Sequence, residues 1–254
     1  MINVVILGAG NVATHLFNAF QKTENIKVVQ VYNRSKKKLA YFESKTSTTT
    51  SISKIMDADV YLISVSDDSI NSLSKKLQFN NKLVAHTSGS IAMNQISIHN
   101  SPSVFYPLQT FTSGKEVDFK TIPLCIEATK KTDLLLLENL AKSISDNIYH
   151  INSKQRKALH IAAVFVNNFV NHLYQKGEEI CKENNVSFDI LKPLILETAR
   201  KVSELSPKNS QTGPAKRNDN KVIEQHISDL NTTTQQEIYT LLTKSIQQTH
   251  GNKL

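Results

Sequence analysis

Tryptophan is absent from this sequence, and aromatic residues of all kinds make up only 7% of it. That leaves no stacked aromatic platform of the sort that holds single-stranded nucleic acids. Only two cysteines occur, Cys125 and Cys181, far apart, with no CxxC and no Cys/His pair at zinc spacing. A zinc knuckle or a disulfide framework is therefore excluded, and no metal site is expected. Both cysteines lie in apolar patterns, so buried free thiols are expected, as in a reducing, cytoplasmic compartment. No apolar run nears the roughly 20 residues of a membrane helix. The most apolar helical stretch, residues 160–173, is interrupted by Asn167, Asn168, Asn171 and His172. The first apolar run, Val4 to Leu7, breaks at once into Gly8-Ala9-Gly10, unlike a signal peptide. Acidic residues are fewer than basic ones, 22 against 30, giving a formal charge of +8. Such a balance suits an anionic partner or a merely lysine-rich surface. The basic residues are dispersed, apart from one cluster at Arg34 to Lys38. With no recognition helix in view, nucleic acid is not expected as a partner, and neither is a membrane.

What is present is a change of period halfway along 254 residues. Residues 2–7, 26–32, 46–52, 59–65, 83–86, 104–106, 123–127 and 148–151 read as short strands. Helical patterns follow several of them, at 11–22, 35–45, 67–77 and 132–145, with Asp67-Asp68 as the cap of the third. From Ser153 nearly everything reads as helix: 153–183 as one long helix, 187–205, 219–230 and 234–249, with a polar loop at 206–218. Repeated strand–helix units followed by a helical block predict an α/β fold, a Rossmann doubly wound sheet followed by an all-α domain. The expected domains are residues 1–152 and residues 153–254.

Gly8-Ala9-Gly10-Asn11-Val12-Ala13 matches G-x-G-x-x-G/A between an apolar strand and an amphipathic helix, the context that makes this pattern specific. Gly8 permits the tight turn, Gly10 lets the backbone approach a pyrophosphate, and Ala13 lets the helix pack close to the strand. The pyrophosphate would sit on the helix N-terminus. After the second strand, an NAD site places an acid that bonds the ribose hydroxyls. Here the chain reads Asn33-Arg34-Ser35-Lys36-Lys37-Lys38. Arg34 can fork onto a 2′-phosphate, Ser35 can donate to it and Lys36 can add charge, so NADP is the expected cofactor.

With these residues the chain resembles a family of Rossmann-like NADP oxidoreductases carrying a C-terminal helical domain of unknown function. That family is related to pyrroline-carboxylate reductases, prephenate dehydrogenases and β-hydroxyacid dehydrogenases. The marks are the glycine motif, Ile63-Ser64-Val65-Ser66-Asp67-Asp68, His86-Thr87-Ser88-Gly89-Ser90 and Tyr106-Pro107-Leu108-Gln109-Thr110-Phe111. In the helical half they are His160-Ile161-Ala162-Ala163 with Asn168, and Thr212-Gly213-Pro214-Ala215-Lys216-Arg217-Asn218-Asp219. The resemblance implies cofactor contacts at Gly8, Ala9, Gly10, Asn11, Val12, Asn33, Arg34, Ser35, Lys36, Val65 and Ser66. It also implies a helical domain like the C-terminal domain of 6-phosphogluconate dehydrogenase. Two departures stand out. Tyr106 occupies a position that is commonly His, and Asn218 stands where the family has Gly; Asn tolerates the left-handed backbone a Gly would supply.

Three groups carry candidate chemistry. At about 100° per residue, His160, Asn168 and Asn171 share one stripe of an otherwise apolar helix. His160 is a candidate proton donor and Asn168 a candidate to orient substrate; the other reading is a hydrogen-bonded structural pair. Ser88, Gly89 and Ser90 follow a strand at the edge where open α/β sheets bind ligands, and could hold a substrate carboxylate. Alternatively, this is a strand-to-helix turn capped by Ser90. Thr212 and Arg217 could close over an anionic substrate, unless Arg217 is in a structural ion pair; Asp219 reads as a helix cap. The expected function is NADP(H)-dependent hydride transfer to or from a small, anionic keto, imino or hydroxy metabolite. The rival, kept open by Tyr106, is a non-catalytic NADP(H)-binding or sensing protein. The helical domain has a long face (Leu191, Leu194, Ile195, Thr198, Val202) that one helix layer does not cover, and resemblance to the related reductases implies a homodimer through residues 153–250.

Overall fold

The computed structural model describes residues 1–250; residues 251–254, the end of the expected helical domain, lie outside the described residues. The chain divides into two compact units, Met1–Ala163 and Val164–Leu254.

In the first unit, β1 (Ile2–Leu7), α1 (Asn11–Gln21), β2 (Ile26–Tyr32), α2 (Lys36–Leu39), β3 (Ser47–Thr49), β4 (Val60–Ile63), α3 (Asp67–Lys76), β5 (Leu83–His86), β6 (Ser101–Pro107), β7 (Leu124–Ala128), α4 (Lys131–Lys142), β8 (Ile148–His150) and α5 (Ser153–Ala163) follow in order. They build one eight-stranded sheet of order β3-β2-β1-β4-β5-β6-β7-β8. The first six strands pair in parallel; β7 runs antiparallel to β6, and β8 parallel to β7. All of β4 and β5 is buried, as a sheet covered on both faces requires. Alternate residues of β1 serve the two faces. Val4 and Ile6 pack with Phe17 and Phe20 of α1 and Leu137 and Leu140 of α4. Val5 and Leu7 pack with Tyr61, Ile63, Val84 and Ile70 of α3. A third small cluster joins Val104, Tyr106 and Cys125 to Leu159 of α5.

Local chemistry sets the ends of these elements. The helix expected at 35–45 closes after one turn, at Leu39, and irregular turns carry the chain to β3. Three successive lysines offer the α2 stub no apolar face to bury; only its Leu39 is buried. Ser66, rather than Asp67 or Asp68, is the N-cap of α3, and both acids fall in the first turn, where they complement the helix dipole. At the start of α5, Asn152 accepts from the Gln155 backbone N–H at 2.9 Å, while the Gln155 side chain accepts from the Asn152 N–H at 2.9 Å. This reciprocal capping box fixes where the helix begins.

The second unit opens with a π-helical segment, Val164–Phe169, followed by α6 (Val170–Glu183), α7 (Lys192–Glu204), α8 (Pro207–Ser210), α9 (Pro214–Arg217), α10 (Asn220–Asp229) and α11 (Thr233–His250). The single helix expected over 153–183 is thus interrupted by one widened stretch. The loop expected at 206–218 contains two short helices. Asn218 adopts the left-handed conformation, φ 54° and ψ 39°, which Asn tolerates better than most residues. Asp219 caps α10 by accepting from the Val222 N–H. Cys125 is buried, but Cys181 is only half-buried, correcting the expectation that both would be buried.

Candidate functional site

The parallel strands of the first unit all end at one edge, and the side chains singled out above in that unit gather there. Gly8 follows β1 with φ 134°, and a Cβ at this position would lie 2.1 Å from the Ser64 carbonyl oxygen. No other residue fits between β1 and β4. Gly10 is the N-cap of α1, with no side-chain cap and no acid in the first turn. A Cβ on Gly10 would meet nothing within 4 Å. The helix therefore presents unpaired backbone N–H groups to open space, as an anion cradle requires. The Asn11 side chain is committed elsewhere: its amide donates to the Phe111 carbonyl at 2.9 Å, tying the loop after β6 to the helix start. Val12 packs against the core beneath the turn.

At the end of β2, Asn33 turns its amide onto the Ser35 carbonyl at 3.1 Å and holds the corner. Arg34, Ser35, Lys36, Lys37 and Lys38 are exposed. Among the described residues none of these cations is in an ion pair. Ser35 heads the α2 stub without a side-chain cap, which leaves its hydroxyl uncommitted. Val65 is half-buried, and the Ser66 hydroxyl lies 3.1 Å from that of Ser69.

Beyond β5, no α-helix follows, so the reading of Ser90 as a helix cap does not hold. Ser88 organises the turn instead: its hydroxyl oxygen accepts from the Ser90 and Ile91 N–H groups, each at 3.1 Å, with its own hydrogen free to donate. Gly89 faces a pair of rings. A Cβ there would lie 2.6 Å from His160 Nδ1 and 2.7 Å from Tyr106 Cζ. The Tyr106 hydroxyl and His160 Nδ1 are 3.1 Å apart, with the rings edge to face. Burial pushes the Tyr106 hydroxyl up to about 12, with Cys125 adding to the rise and Arg156 opposing it. The neutral phenol donates to Nδ1 where the imidazole proton lies on Nε2, and accepts from Nδ1–H where it lies on Nδ1. If the ring takes a second proton, the same hydroxyl rotates to accept from Nδ1–H. Tyr106 therefore supports His160 in either state.

A buried ionic network underlies this pair, and neither composition nor motif pointed to it. Arg156, 1% exposed, pairs through Nη1 with Glu127 Oε2. Its Nη2 donates to the Ile91 carbonyl at 2.6 Å and to Ser153 Oγ at 3.2 Å. Ser153 in turn donates to the Glu127 carboxylate through its backbone N–H at 3.0 Å and its hydroxyl at 2.8 Å. It also accepts from the Met93 N–H at 3.0 Å. The signal available in the sequence was an arginine four residues before His160, one helical turn away. His86 is fully buried; its Nδ1 accepts the Ser88 N–H at 3.2 Å, and its Nε2 has no hydrogen-bond partner. Burial holds its pKa down at about 4, reinforced by the Arg156 charge; the Ala92 backbone acts weakly the other way.

In the second unit, Asn168 lies within the π-helical segment and is exposed. The stripe drawn at a constant 100° per residue does not carry through that segment, because i→i+5 bonding widens the turn. Thr212, just before α9, and Arg217, its last residue, are exposed, and Arg217 has no ion pair among the described residues. Lys216 donates to the Gln211 carbonyl at 2.7 Å and closes the loop. No group of three or more His, Cys, Asp or Glu among the described residues is arranged to hold a metal ion. None of the described helices is long and apolar enough to cross a membrane.

Comparison with known proteins gives this geometry its family. The family described as NADP oxidoreductase, coenzyme F420-dependent, matches residues 3–88. A domain of unknown function, DUF2520, matches residues 122–246. No curated protein matches the chain. A Bacteroides fragilis protein described as a "putative NADP oxidoreductase" is 41% identical, with a TM-score of 0.88 over 97% of this chain and 98% of that one. A Thermotoga maritima protein aligns at 18% identity and TM-score 0.74 over 98% of each chain. A Plasmodium falciparum pyrroline carboxylate reductase, solved with NADP bound, aligns at 15% identity and TM-score 0.62 over 99% of this chain and 93% of that one. The latter two likenesses show the fold alone. The chain belongs to the NADP oxidoreductase-like family in which a Rossmann-type N-terminal part is followed by the DUF2520 domain.

Proposed function

We propose that this protein is an NADP(H)-dependent oxidoreductase that transfers hydride to or from a small, anionic keto, imino or hydroxy metabolite. The observation that carries this reading is the Tyr106–His160 pair over Gly89, at the same sheet edge as the open Gly8–Gly10 turn. A dinucleotide would lay its pyrophosphate against the N–H groups after Gly10, with Gly8, Ala9, Asn11 and Val12 shaping the turn. Arg34, Ser35 and Lys36 would take a 2′-phosphate, with Asn33 holding the corner; Val65 and Ser66 line the neighbouring strand end. When bound, the cofactor supplies or accepts the hydride. The chain's own part is to hold the proton. In the reducing direction the imidazolium of His160 gives its Nε2 proton to the developing alkoxide or amine and keeps the Nδ1 proton, which the Tyr106 hydroxyl accepts. Ser88 and Ser90 offer donors to a substrate carboxylate, and Asn168, Thr212 and Arg217 are further candidates for substrate contact.

The sensor alternative rested on losing a proton donor at Tyr106. A tyrosine that orients a histidine favours catalysis instead. Oxidation of NADPH by the purified protein with a panel of keto and imino acids tests this. Turnover is expected with at least one acid, falling by about 10²- to 10⁴-fold in His160→Asn. Tight NADPH binding without turnover across the panel would favour the non-catalytic reading. We also propose a cytoplasmic homodimer formed through the helical unit, because Phe165, Val166, Ile190, Leu194 and Leu196 are all more than 60% exposed. A monomer by light scattering at micromolar concentration would contradict the dimer.

A further inference from the structure

We propose that Arg156 is a positioning residue of this site: its buried guanidinium locks the first turns of α5 to the sheet and thereby sets where the His160 ring meets Tyr106 and Gly89. The inference rests on the reading of Tyr106 and His160 as the proton-handling pair. Arg156 and His160 stand one turn apart on the same helix. Arg156 joins three separate pieces of the first unit: Glu127 on β7, the Ile91 carbonyl in the turn after Gly89, and Ser153 at the start of its own helix. Ser153 repeats the same connections, to Glu127 and to the Met93 N–H. The helix carrying His160 and the turn carrying Gly89 are therefore pinned to one another through a single planar fork. Lysine could not reproduce it, because one ammonium cannot face a carboxylate and a carbonyl in fixed, coplanar directions. The tolerance is narrow: Gly89 has no room even for a methyl against His160 Nδ1 at 2.6 Å. A displacement of α5 by a fraction of an ångström would open or crush the Tyr106–His160 contact.

The test compares Arg156→Lys, Arg156→Met and the charge-neutral double variant Glu127→Gln/Arg156→Met, which keeps volume while removing both charges of the pair and so guards against loss of fold. The ring nitrogens of His160 are followed by ¹⁵N NMR with uniformly labelled, full-length protein, assigned by the loss of signal in His160→Asn. NADPH affinity is followed by calorimetry. In wild type the Nδ1 resonance should show the hydrogen-bonded signature of the Tyr106 contact and lose it in Tyr106→Phe. The double variant and Arg156→Lys should stay folded and bind NADPH within about twofold of wild type, yet lose that signature. Turnover on any acid the wild type reduces should fall by about 10- to 100-fold through kcat. If the signature and kcat persist in the folded Arg156 variants, Arg156 does not position His160. If Tyr106→Phe leaves the wild-type signature unchanged, the acid pair itself falls, and this inference with it.

Discussion

Replacing Gly10 by alanine should separate cofactor binding from folding. Gly10 sits at φ −89° and ψ −172°, a conformation any residue adopts, and an added Cβ meets no atom within 4 Å. Restricting the unfolded chain favours alanine by about 0.4–1 kcal/mol. Alanine is the poorer N-cap, at a comparable cost of about 0.5–1 kcal/mol. The two nearly cancel, so the melting temperature should move by no more than about 4 °C. In the loaded protein the same methyl would stand between the backbone and the pyrophosphate. Losing one or two charge-assisted N–H bonds, at about 1.5–3 kcal/mol each, weakens NADPH by roughly 10- to 10⁴-fold. Calorimetric titration and a thermal melt on the same sample give both numbers. Gly8→Ala is the contrasting control: its Cβ would collide with the Ser64 carbonyl at 2.1 Å, so it should destabilise the protein itself. A Gly10→Ala protein that binds NADPH as wild type does would refute the placement of the dinucleotide on this turn.

Other outcomes follow from the same geometry. Gly89→Ala puts a methyl 2.6 Å from His160 Nδ1, and such overpacking should cost about 1–3 kcal/mol by urea unfolding while abolishing turnover and sparing NADPH affinity. Arg34→Ala should weaken NADPH by about 10- to 100-fold and leave NADH unchanged by calorimetry, because only the phosphorylated ribose offers the guanidinium a partner. His86 should make the protein acid-labile. Its folded pKa of about 4 lies below the ordinary 6.5, so the unfolded chain binds the extra proton first. Stability from this group is then complete above pH 6.5 and falls toward pH 4, by about 3 kcal/mol in all. Urea unfolding of wild type against His86→Gln should show this difference in slope between pH 6.5 and 4, and parallel curves would remove His86 as the cause.

Elements whose residues carry their own local instructions were legible from the sequence. β2 runs from Ile26 to Tyr32, as its β-branched run predicts, and the Gly8–Gly10 turn opens α1 at Asn11 as the motif requires. The left-handed Asn218 was legible for the same reason: few residues other than Gly and Asn tolerate that backbone. Failures came where tertiary context decided. The lysine run after Ser35 looked helical by propensity but has too narrow a face to bury, so the helix stops at Leu39. The π-helical segment at 164–169 has no signature in residue type, and it spoiled the constant rotation used to align Asn168 with His160. At the site, His160 and Gly89 were singled out by motif, but the contact of His160 with Tyr106 joins residues 54 apart in sequence. The Glu127–Arg156 pair was invisible for a related reason: a charged residue on a helix reads as solvent-facing until the strand that meets it is known.

The most direct measurement is calorimetric titration of the wild-type protein, at physiological salt, with NADPH and separately with NADH. Saturable uptake of NADPH at micromolar concentration or below, with NADH at least about tenfold weaker, is the result expected from an uncapped helix start and an acid-free basic corner. No heat with NADPH, or a preference for NADH, would contradict it.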